Sequence, residues 1–221
     1  MQNPLNQRQQ AMIPIAALAA CGEMEKLTSA LNEGLDAGLT VNEIKEVLTQ
    51  LYAYCGFPRS LNALGCFMSV VKTRKAAGID DNEGAVATRP PSGWDSLSAG
   101  TLTQTQLVGK PVSGPLFDFA PAIDIYLKAH LFGDIFQRDV LDWTSRELAT
   151  VSALAAIPGA ESQLKSHYAI GMNNGLSAEQ YHAFVAVLAA KCPSQIATNA
   201  QAVLTLFLDE ISQTSDTTEQ Q

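Results

Sequence analysis

The chain has 221 residues, of which 47% are hydrophobic and 16% are charged, and its formal net charge is -8. The length and hydrophobic content allow a sizeable core, and the low charged fraction favours a homo-oligomer that hides further surface. The negative charge argues against nucleic acid and against an anionic membrane surface as partners.

The first predicted helix, at about residues 9–20, is short, apolar and rich in alanine. It ends in the sequence LAAC at positions 18–21, which is similar to a lipoprotein cleavage box. A secretory leader needs a basic start and a longer run without proline, whereas this run contains Pro14. We expect an ordinary helix and a cytoplasmic protein, with a periplasmic location as the alternative if a leader was removed. No apolar run reaches the roughly 18 residues of a membrane span.

The chain matches itself without gaps at an offset of 137 residues, which indicates two tandem copies of a unit of about 60 residues. The matched pairs include Gly22 with Gly159, Leu27 with Leu164, Gly38 with Gly175 and Cys55 with Cys192.

Each copy is predicted to hold the same series of helices. The first two are expected at 9–20 and 23–36 in one copy, and at 145–157 and 161–173 in the other. Glycines at matching places, Gly38 and Gly175, are suited to end the second helix in a left-handed conformation. The third helix begins with a capping box in both copies, Thr40 to Glu43 and Ser177 to Gln180.

Further helix is expected at 59–76 and 194–212, and no strand pattern occurs, so the predicted fold class is all-α. The predicted domains are repeat one at 1–76, a connector at 77–119, a linking helix plus repeat two at 120–212, and a polar, frayed tail at 213–221. The connector, rich in Gly, Pro, Ser and Thr, shows no regular periodicity.

Two segments carry a resemblance to a known family. The stretch FGDIFQRDVLDWTSRELATVSALAAIPGAESQLKSH, at 132–167, closely resembles the carboxymuconolactone decarboxylase-like family, which shares the alkylhydroperoxidase D-like fold. The turn Tyr54-Cys55-Gly56-Phe57-Pro58 resembles the Tyr-x-Gly-x-Pro segment of that family. The resemblance implies an all-α bundle that assembles into trimers or hexamers, and it covers both repeats.

The resemblance also implies candidate site residues. Family members of the thiol peroxidase type use Glu, two cysteines spaced CxxC, and His. The cysteine and His positions fall here on Ala160, Gln163 and His167, and the Glu is best matched by Glu147 with a shift of one residue. Alanine and glutamine cannot supply the attacking and resolving thiols, so the dithiol mechanism is not expected. The remaining Glu147 and His167 suit general acid/base catalysis, in which His moves a proton and the carboxylate sets its tautomer.

Three further residues are candidates for substrate binding. Arg146 is a candidate anchor for a substrate carboxylate because a guanidinium can bind it through two bonds, although a structural ion pair is the alternative. Tyr54 lies in the family-like turn, and His130 lies beside Asp134 in the linking helix, where it could line the cleft. His182 is expected at the surface.

The predicted function is acid/base chemistry, decarboxylation or isomerisation, on a small lactone or organic acid. The first alternative is a thiol-dependent peroxidase that works without the CxxC pair, and the second is a non-catalytic binding or assembly protein. No metal or cofactor is expected, since no His/Cys cluster has zinc spacing, and free thiols are expected at all four cysteines. Because the counterparts of Glu147 and His167 are Gln10 and Ala30, repeat one is expected to be structural and repeat two to supply the polar groups.

Overall fold

The computed structural model describes residues 4–218, which form eleven α-helices and one π-helix and no β-strand. The α-helices are, in chain order, α1 Gln7–Cys21, α2 Met24–Asp36, α3 Val41–Gln50, α4 Tyr52–Ala76, α5 Ser96–Val108, α6 Pro115–Phe119, α7 Pro121–Tyr126, α8 Trp143–Ala155, α9 Glu161–Asn173, α10 Ala178–Lys191 and α11 Ser194–Thr218. The π-helix, Leu127–Ile135, follows α7. The all-α prediction is confirmed.

The two repeats are α1–α4 and α8–α11, and their local signals act as predicted. Thr40 and Ser177 each accept a bond from the third backbone N–H of their helix, and Glu43 and Gln180 reach back to the cap. Each pairing satisfies two N–H groups that a helix start otherwise leaves without a partner. A glycine with positive φ follows α2 and α9, at 91° for Gly38 and 104° for Gly175.

The centre of the molecule is the pair of alanine-rich helices, α1 from repeat one and α8 from repeat two, which pack against each other. Small side chains allow this close approach, and the run 12–20 of α1 is buried along its whole length. The LAAC sequence therefore belongs to a buried helix. The remaining helices of each repeat surround this pair, so that the two copies share one hydrophobic core.

The connector is more regular than its sequence indicated. Residues 77–119 contain α5 and α6, so the expected lack of periodic structure is wrong for these segments. Helix α5 packs closely on the π-helix, because glycines at the crossing let the backbones meet. A Cβ atom on Gly100 would lie 1.7 Å from the carbonyl oxygen of Lys128, and one on Gly133 would lie 2.0 Å from that of Ser96.

This α5–π-helix pair covers one side of repeat two. Its buried apolar side chains form a second, smaller cluster together with Ile170 of α9. The side-chain amides of Asn173 and Asn174 donate to backbone carbonyls at the end of α5, among them a 3.0 Å bond to Val108 and a 3.1 Å bond to Leu107. The connector thus holds a fixed position over α9.

The chain end also differs from expectation. Helix α11 continues to Thr218, whereas fraying was predicted from residue 213, and residues 219–221 lie outside the described range. Among the described helices, none combines the length and the apolar character needed to cross a membrane.

Candidate functional site

Glu147 and His167 meet between the first two helices of repeat two. Glu147 lies in the first half of α8 and is fully buried, while His167 lies in the middle of α9 and keeps 12% of its side chain exposed. Glu147 Oε2 lies 2.8 Å from His167 Nδ1, which is hydrogen-bond distance. A histidine that donates from Nδ1 to a carboxylate keeps Nε2 as the nitrogen that exchanges protons. The structure therefore brings Glu147 and His167 into contact, in a geometry that suits proton transfer.

The second oxygen of this carboxylate has no protein partner. Glu147 Oε1 is buried and makes no hydrogen bond within residues 4–218. Buried carboxylate oxygens are nearly always bonded in folded proteins, so an unsatisfied one is a feature of functional interest.

Tyr54 comes to the same place from repeat one. Its ring meets the ring of His167 edge-on, with 5.9 Å between centroids. Its hydroxyl accepts a 3.1 Å bond from Thr150 Oγ1 of α8. Burial raises the pKa of Tyr54 above its ordinary value, and the nearby charge of Glu147 raises it further. The phenol therefore stays protonated at neutral pH and is available as a hydrogen-bond donor.

A buried polar chain continues from Thr150 into the core. Gln50 Nε2 donates to Thr150 Oγ1 at 2.9 Å, and Arg146 Nη1 donates to Gln50 Oε1 at 2.9 Å. Arg146 Nη2 then reaches Glu46 Oε2 at 3.2 Å. The guanidinium of Arg138 also binds Glu46, through two 3.0 Å bonds from Nε.

The charge of Glu46 depends on these two arginines. Burial acts to raise the pKa of Glu46, but hydrogen bonds from Arg138 and Arg146 outweigh it, and the pKa lies below its ordinary value. A buried carboxylate between two guanidinium groups is thus held ionised.

Arg146 does not occupy the position of a substrate anchor. It has no exposed surface, and its Nη atoms bond to Gln50, Glu46 and the carbonyl oxygen of Arg138. Its Nε has no partner in the described part of the chain but is also buried, so a substrate carboxylate would reach the guanidinium only if the core around it opened. The structure thus corrects the anchor assignment and supports the alternative, a structural ion pair.

His130 is also separate from the acid/base pair. It lies in the π-helix with about half of its side chain exposed, and its partners are Asp134 Oδ2, at 2.8 Å, and the ring of Tyr52. In the described part of the chain, no hydrogen bond or ring contact joins His130 to Glu147 or His167. The contacts of His130 in this part of the chain thus do not include the Glu147–His167 pair. His182 is exposed, as predicted.

The expectation that repeat two alone supplies the polar groups is also wrong. Apart from the candidate Tyr54, repeat one is expected to be structural, yet it also contributes Glu46 and Gln50 to the buried polar chain. The sequence contains a signal for Glu46 and Gln50. Their counterparts in repeat two, at the same offset, are Ala183 and Val187, both apolar. Polar residues at positions where the other copy is apolar are candidates for a specific role.

Within residues 4–218, no cysteine forms a hydrogen bond with Glu147 or His167. All four are free and partly buried. Burial raises the pKa of Cys21, Cys55 and Cys192, so little thiolate is present near neutral pH. At the start of α9, where the thiol peroxidases carry their dithiol, Ala160 and Gln163 are present. In the part of the chain that the structure describes, no cluster of three metal-ligating side chains is found.

A cavity of about 590 Å³ adjoins Tyr54. It lies between the ends of α1 and α8 and the start of α4, and it is lined mainly by apolar and cysteine side chains together with Arg59. Pockets of a few hundred Å³ or more hold small organic ligands. Tyr54 thus contacts both this cavity and His167.

The counterpart of the candidate site in repeat one is an open cleft, also of about 590 Å³. Its walls carry Gln10, Ala30, Val187 and Lys191 at the positions that Glu147, His167, Gln50 and Tyr54 occupy in the site. The scaffold is therefore duplicated, whereas the acid/base pair is present in one copy.

Comparison with known proteins agrees with this duplication. The model of the carboxymuconolactone decarboxylase family matches residues 1–67 and 121–205, which cover most of each repeat and also α7 and the π-helix. A search of curated proteins returns no match to this chain. Two matching segments, the offset of 137 residues and the paired helices all indicate one fused architecture. The chain therefore belongs to the carboxymuconolactone decarboxylase family, as two fused repeats.

Proposed function

We propose that the protein catalyses a proton-transfer reaction, decarboxylation or isomerisation, on a small lactone or organic acid. The observation that supports this most directly is the 2.8 Å contact between Glu147 Oε2 and His167 Nδ1 in a partly open setting. His167 Nε2 acts as the acid or base, and Glu147 holds the tautomer and stabilises the imidazolium.

The chemistry fits decarboxylation of a lactone acid. When carbon dioxide leaves, the electron pair of the broken carbon–carbon bond remains on the ring, where conjugation with the lactone carbonyl spreads it onto oxygen. His167 then gives a proton to the carbon, and the net reaction consumes one proton. Isomerisation needs the same residue to remove a proton from one carbon and return it to another.

The setting supports a small acidic substrate. The cavity beside Tyr54 has the size of a small-molecule pocket, and Arg59 supplies a cation at its wall. A guanidinium can bind a carboxylate through two parallel bonds. Arg59, and not the buried Arg146, is thus the residue that a substrate carboxylate meets.

Two alternatives have less support. A thiol-dependent peroxidase needs a thiolate, and burial raises the pKa of three of the four cysteines. A non-catalytic binding protein would not need a histidine bonded to a buried carboxylate, although such a pair can also serve packing. Turnover measurements separate these functions from the proposed one.

The test is turnover of a panel that includes 4-carboxymuconolactone, related lactones and keto acids. We expect His167→Ala to lower turnover by about a hundredfold or more, the usual contribution of a general acid or base. His182→Ala is the matched control, because it removes an exposed histidine from the neighbouring α10. Equal rates for His167→Ala and wild type on a substrate that is turned over would contradict the assignment.

A further inference from the structure

The hydrogen bonds of the buried polar chain run in one direction, from the donor Arg146 to the acceptor Tyr54. The chemistry of the side chains determines this direction. Arginine has N–H donors and no acceptor, so the bond from Arg146 Nη1 identifies Oε1 as the oxygen of the Gln50 side chain. The amide nitrogen, Nε2, then faces two acceptors, the carbonyl oxygen of Arg146 at 3.0 Å and Thr150 Oγ1 at 2.9 Å. Rotation of the amide by 180° would break both bonds to Arg146 and would make Thr150 the donor to Gln50.

Thr150 passes this direction on to Tyr54. Its Oγ1 accepts from Gln50, which leaves its own proton to donate. A helical threonine often donates to the carbonyl four residues back, but that carbonyl belongs to Arg146 and already accepts from Gln50. The proton goes instead to Tyr54 Oη at 3.1 Å.

Tyr54 is the last residue of the buried polar chain. The acceptor for its own hydroxyl proton is not another member of that chain. Its hydroxyl accepts from Thr150, and within residues 4–218 it makes no other hydrogen bond. Its surroundings are the edge of the His167 ring and the carboxylate of Glu147, one oxygen of which has no partner. The free donor and the free acceptor therefore lie in the same region.

We infer that Arg146, Gln50 and Thr150 are positioning residues that fix Tyr54 as a hydrogen-bond donor to an acceptor oxygen of the substrate, beside His167. This inference rests on the proposed function, and it specifies the substrate as one that carries a carbonyl or carboxylate oxygen at the reacting centre. Tyr54 keeps its proton throughout. Its bond strengthens as negative charge builds up on that oxygen, which stabilises an enolate-like state.

Substitutions at two positions, Thr150 and Gln50, test the direction of these hydrogen bonds. Thr150→Val keeps the shape but removes the proton that Tyr54 accepts, and Thr150→Ser restores it. Gln50→Glu reverses the chain, because a glutamate would accept from both Arg146 and Thr150. Thr150 would then present a lone pair to Tyr54 and draw the tyrosine proton away from the site. Ser152→Ala is the matched control, since Ser152 is an equally buried hydroxyl of α8 that bonds only to the carbonyl of Leu148.

The first measurement needs no ligand. The protein is labelled with carbon-13 at Cζ of its five tyrosines. The Tyr54 resonance is identified by its loss in Tyr54→Phe. We expect Thr150→Val and Gln50→Glu to shift this resonance, Thr150→Ser to return it to the wild-type position, and Ser152→Ala to leave it unchanged. Wild-type resonances in Thr150→Val and Gln50→Glu, or an equal shift in Ser152→Ala, would overturn the positioning role.

The second measurement is titration with 5-oxotetrahydrofuran-2-carboxylate, a stable lactone acid. In wild type the Tyr54 resonance should move as this compound binds. Tyr54→Phe and Gln50→Glu should weaken binding by about tenfold, the value of one neutral hydrogen bond. Equal binding by wild type and Gln50→Glu would contradict donation to the ligand.

The two measurements keep the two proposals apart. If the lactone acid does not bind to wild type, the substrate class and the donation to it are both contradicted, while the ligand-free resonances still decide whether the chain orients Tyr54. If the resonances respond as expected and His167→Ala retains full turnover, the proposed function fails although the orientation of Tyr54 stands.

Discussion

Single residues separate the two repeats of this protein. His167 and Ala30 occupy matching positions on matching helices, as do Glu147 and Gln10. The backbone is repeated, and the change of two side chains leaves the Glu147–His167 pair in one copy. For Arg146 the residue type alone is misleading. An arginine at this position suggests anion binding, whereas its complete burial assigns it to the core.

Cys192 provides a prediction at this scale. Burial, aided by the nearby Cys21, raises the pKa of its thiol to about 12. Because the thiolate is the reactive form, we expect alkylation of Cys192 at pH 8 to be roughly a thousandfold slower than that of an ordinary free thiol. The rate is measured by iodoacetamide labelling and mass spectrometry of the native protein.

The control for this experiment is the same chain unfolded in urea, where Cys192 should react as a free thiol. Rapid labelling of Cys192 in the native protein, or its oxidation by equimolar peroxide, would contradict the prediction and would favour the thiol-dependent alternative.

Between elements, the main link near the site is electrostatic. Glu46 of α3 binds Arg146 of α8 and Arg138 of the segment that precedes α8. The three groups form a cluster that joins repeat one to repeat two and to the segment before α8, with Glu46 and Arg146 buried and Arg138 partly exposed. The loss of one member of such a cluster leaves an uncompensated charge in the core, which costs far more than the loss of a surface pair.

Glu46→Gln tests this cluster through pH. The folded-state pKa of Glu46 lies below its ordinary value of 4.5, so its charge contributes full stability above about pH 4.5. That contribution is lost as the pH falls from there through the folded-state pKa. We expect Glu46→Gln to lower the free energy of unfolding by about 3 kcal/mol at pH 7. The difference from wild type should shrink below about pH 4.5.

Urea unfolding between pH 3 and pH 7 measures this difference. Glu33→Gln is the control, because Glu33 forms a surface pair with Lys191 that is 55% exposed on the glutamate side and should change stability by less than about 1 kcal/mol. A pH-independent difference for Glu46→Gln would mean that the carboxylate charge is not what stabilises the cluster.

At the scale of the whole molecule, the connector makes the duplicated scaffold asymmetric. The α5–π-helix pair covers repeat two, while the matching cleft of repeat one stays open. The segment next to this pair also presents a group of exposed apolar side chains. They are Leu116, Phe119, Ile123, Ile125 and Tyr126, with Phe119 88% exposed.

We propose that this apolar segment is covered by a second copy of the chain, in a trimer or hexamer. Exposed apolar side chains so closely grouped are typical of an interface between subunits. Phe119→Ser combined with Ile123→Ser should therefore reduce the mass measured by sedimentation. Leu206→Ser is the control, since Leu206 is 61% exposed on α11. A wild-type protein that sediments as a monomer would contradict this assembly.

The sequence by itself determined the elements and their duplication. Capping boxes, glycines with positive φ and helical periodicity are local signals, because they depend on residues within a few positions of each other. The pairing of helices between the two repeats, and the difference between Ala30 and His167, are visible when the sequence is compared with itself. The resemblance to the family singled out Glu147 and His167, and two adjacent helices bring them together.

Only the tertiary structure decided which polar residues are buried and what they bind. Gln50 and Thr150 meet across 100 positions of sequence, and no local pattern reports such a contact. The burial of Arg146, the separation of His130 from the site and the helix within the connector follow in the same way from packing between distant segments. Packing removes water from particular side chains, and that loss determines whether a charged residue binds a substrate or holds two repeats together.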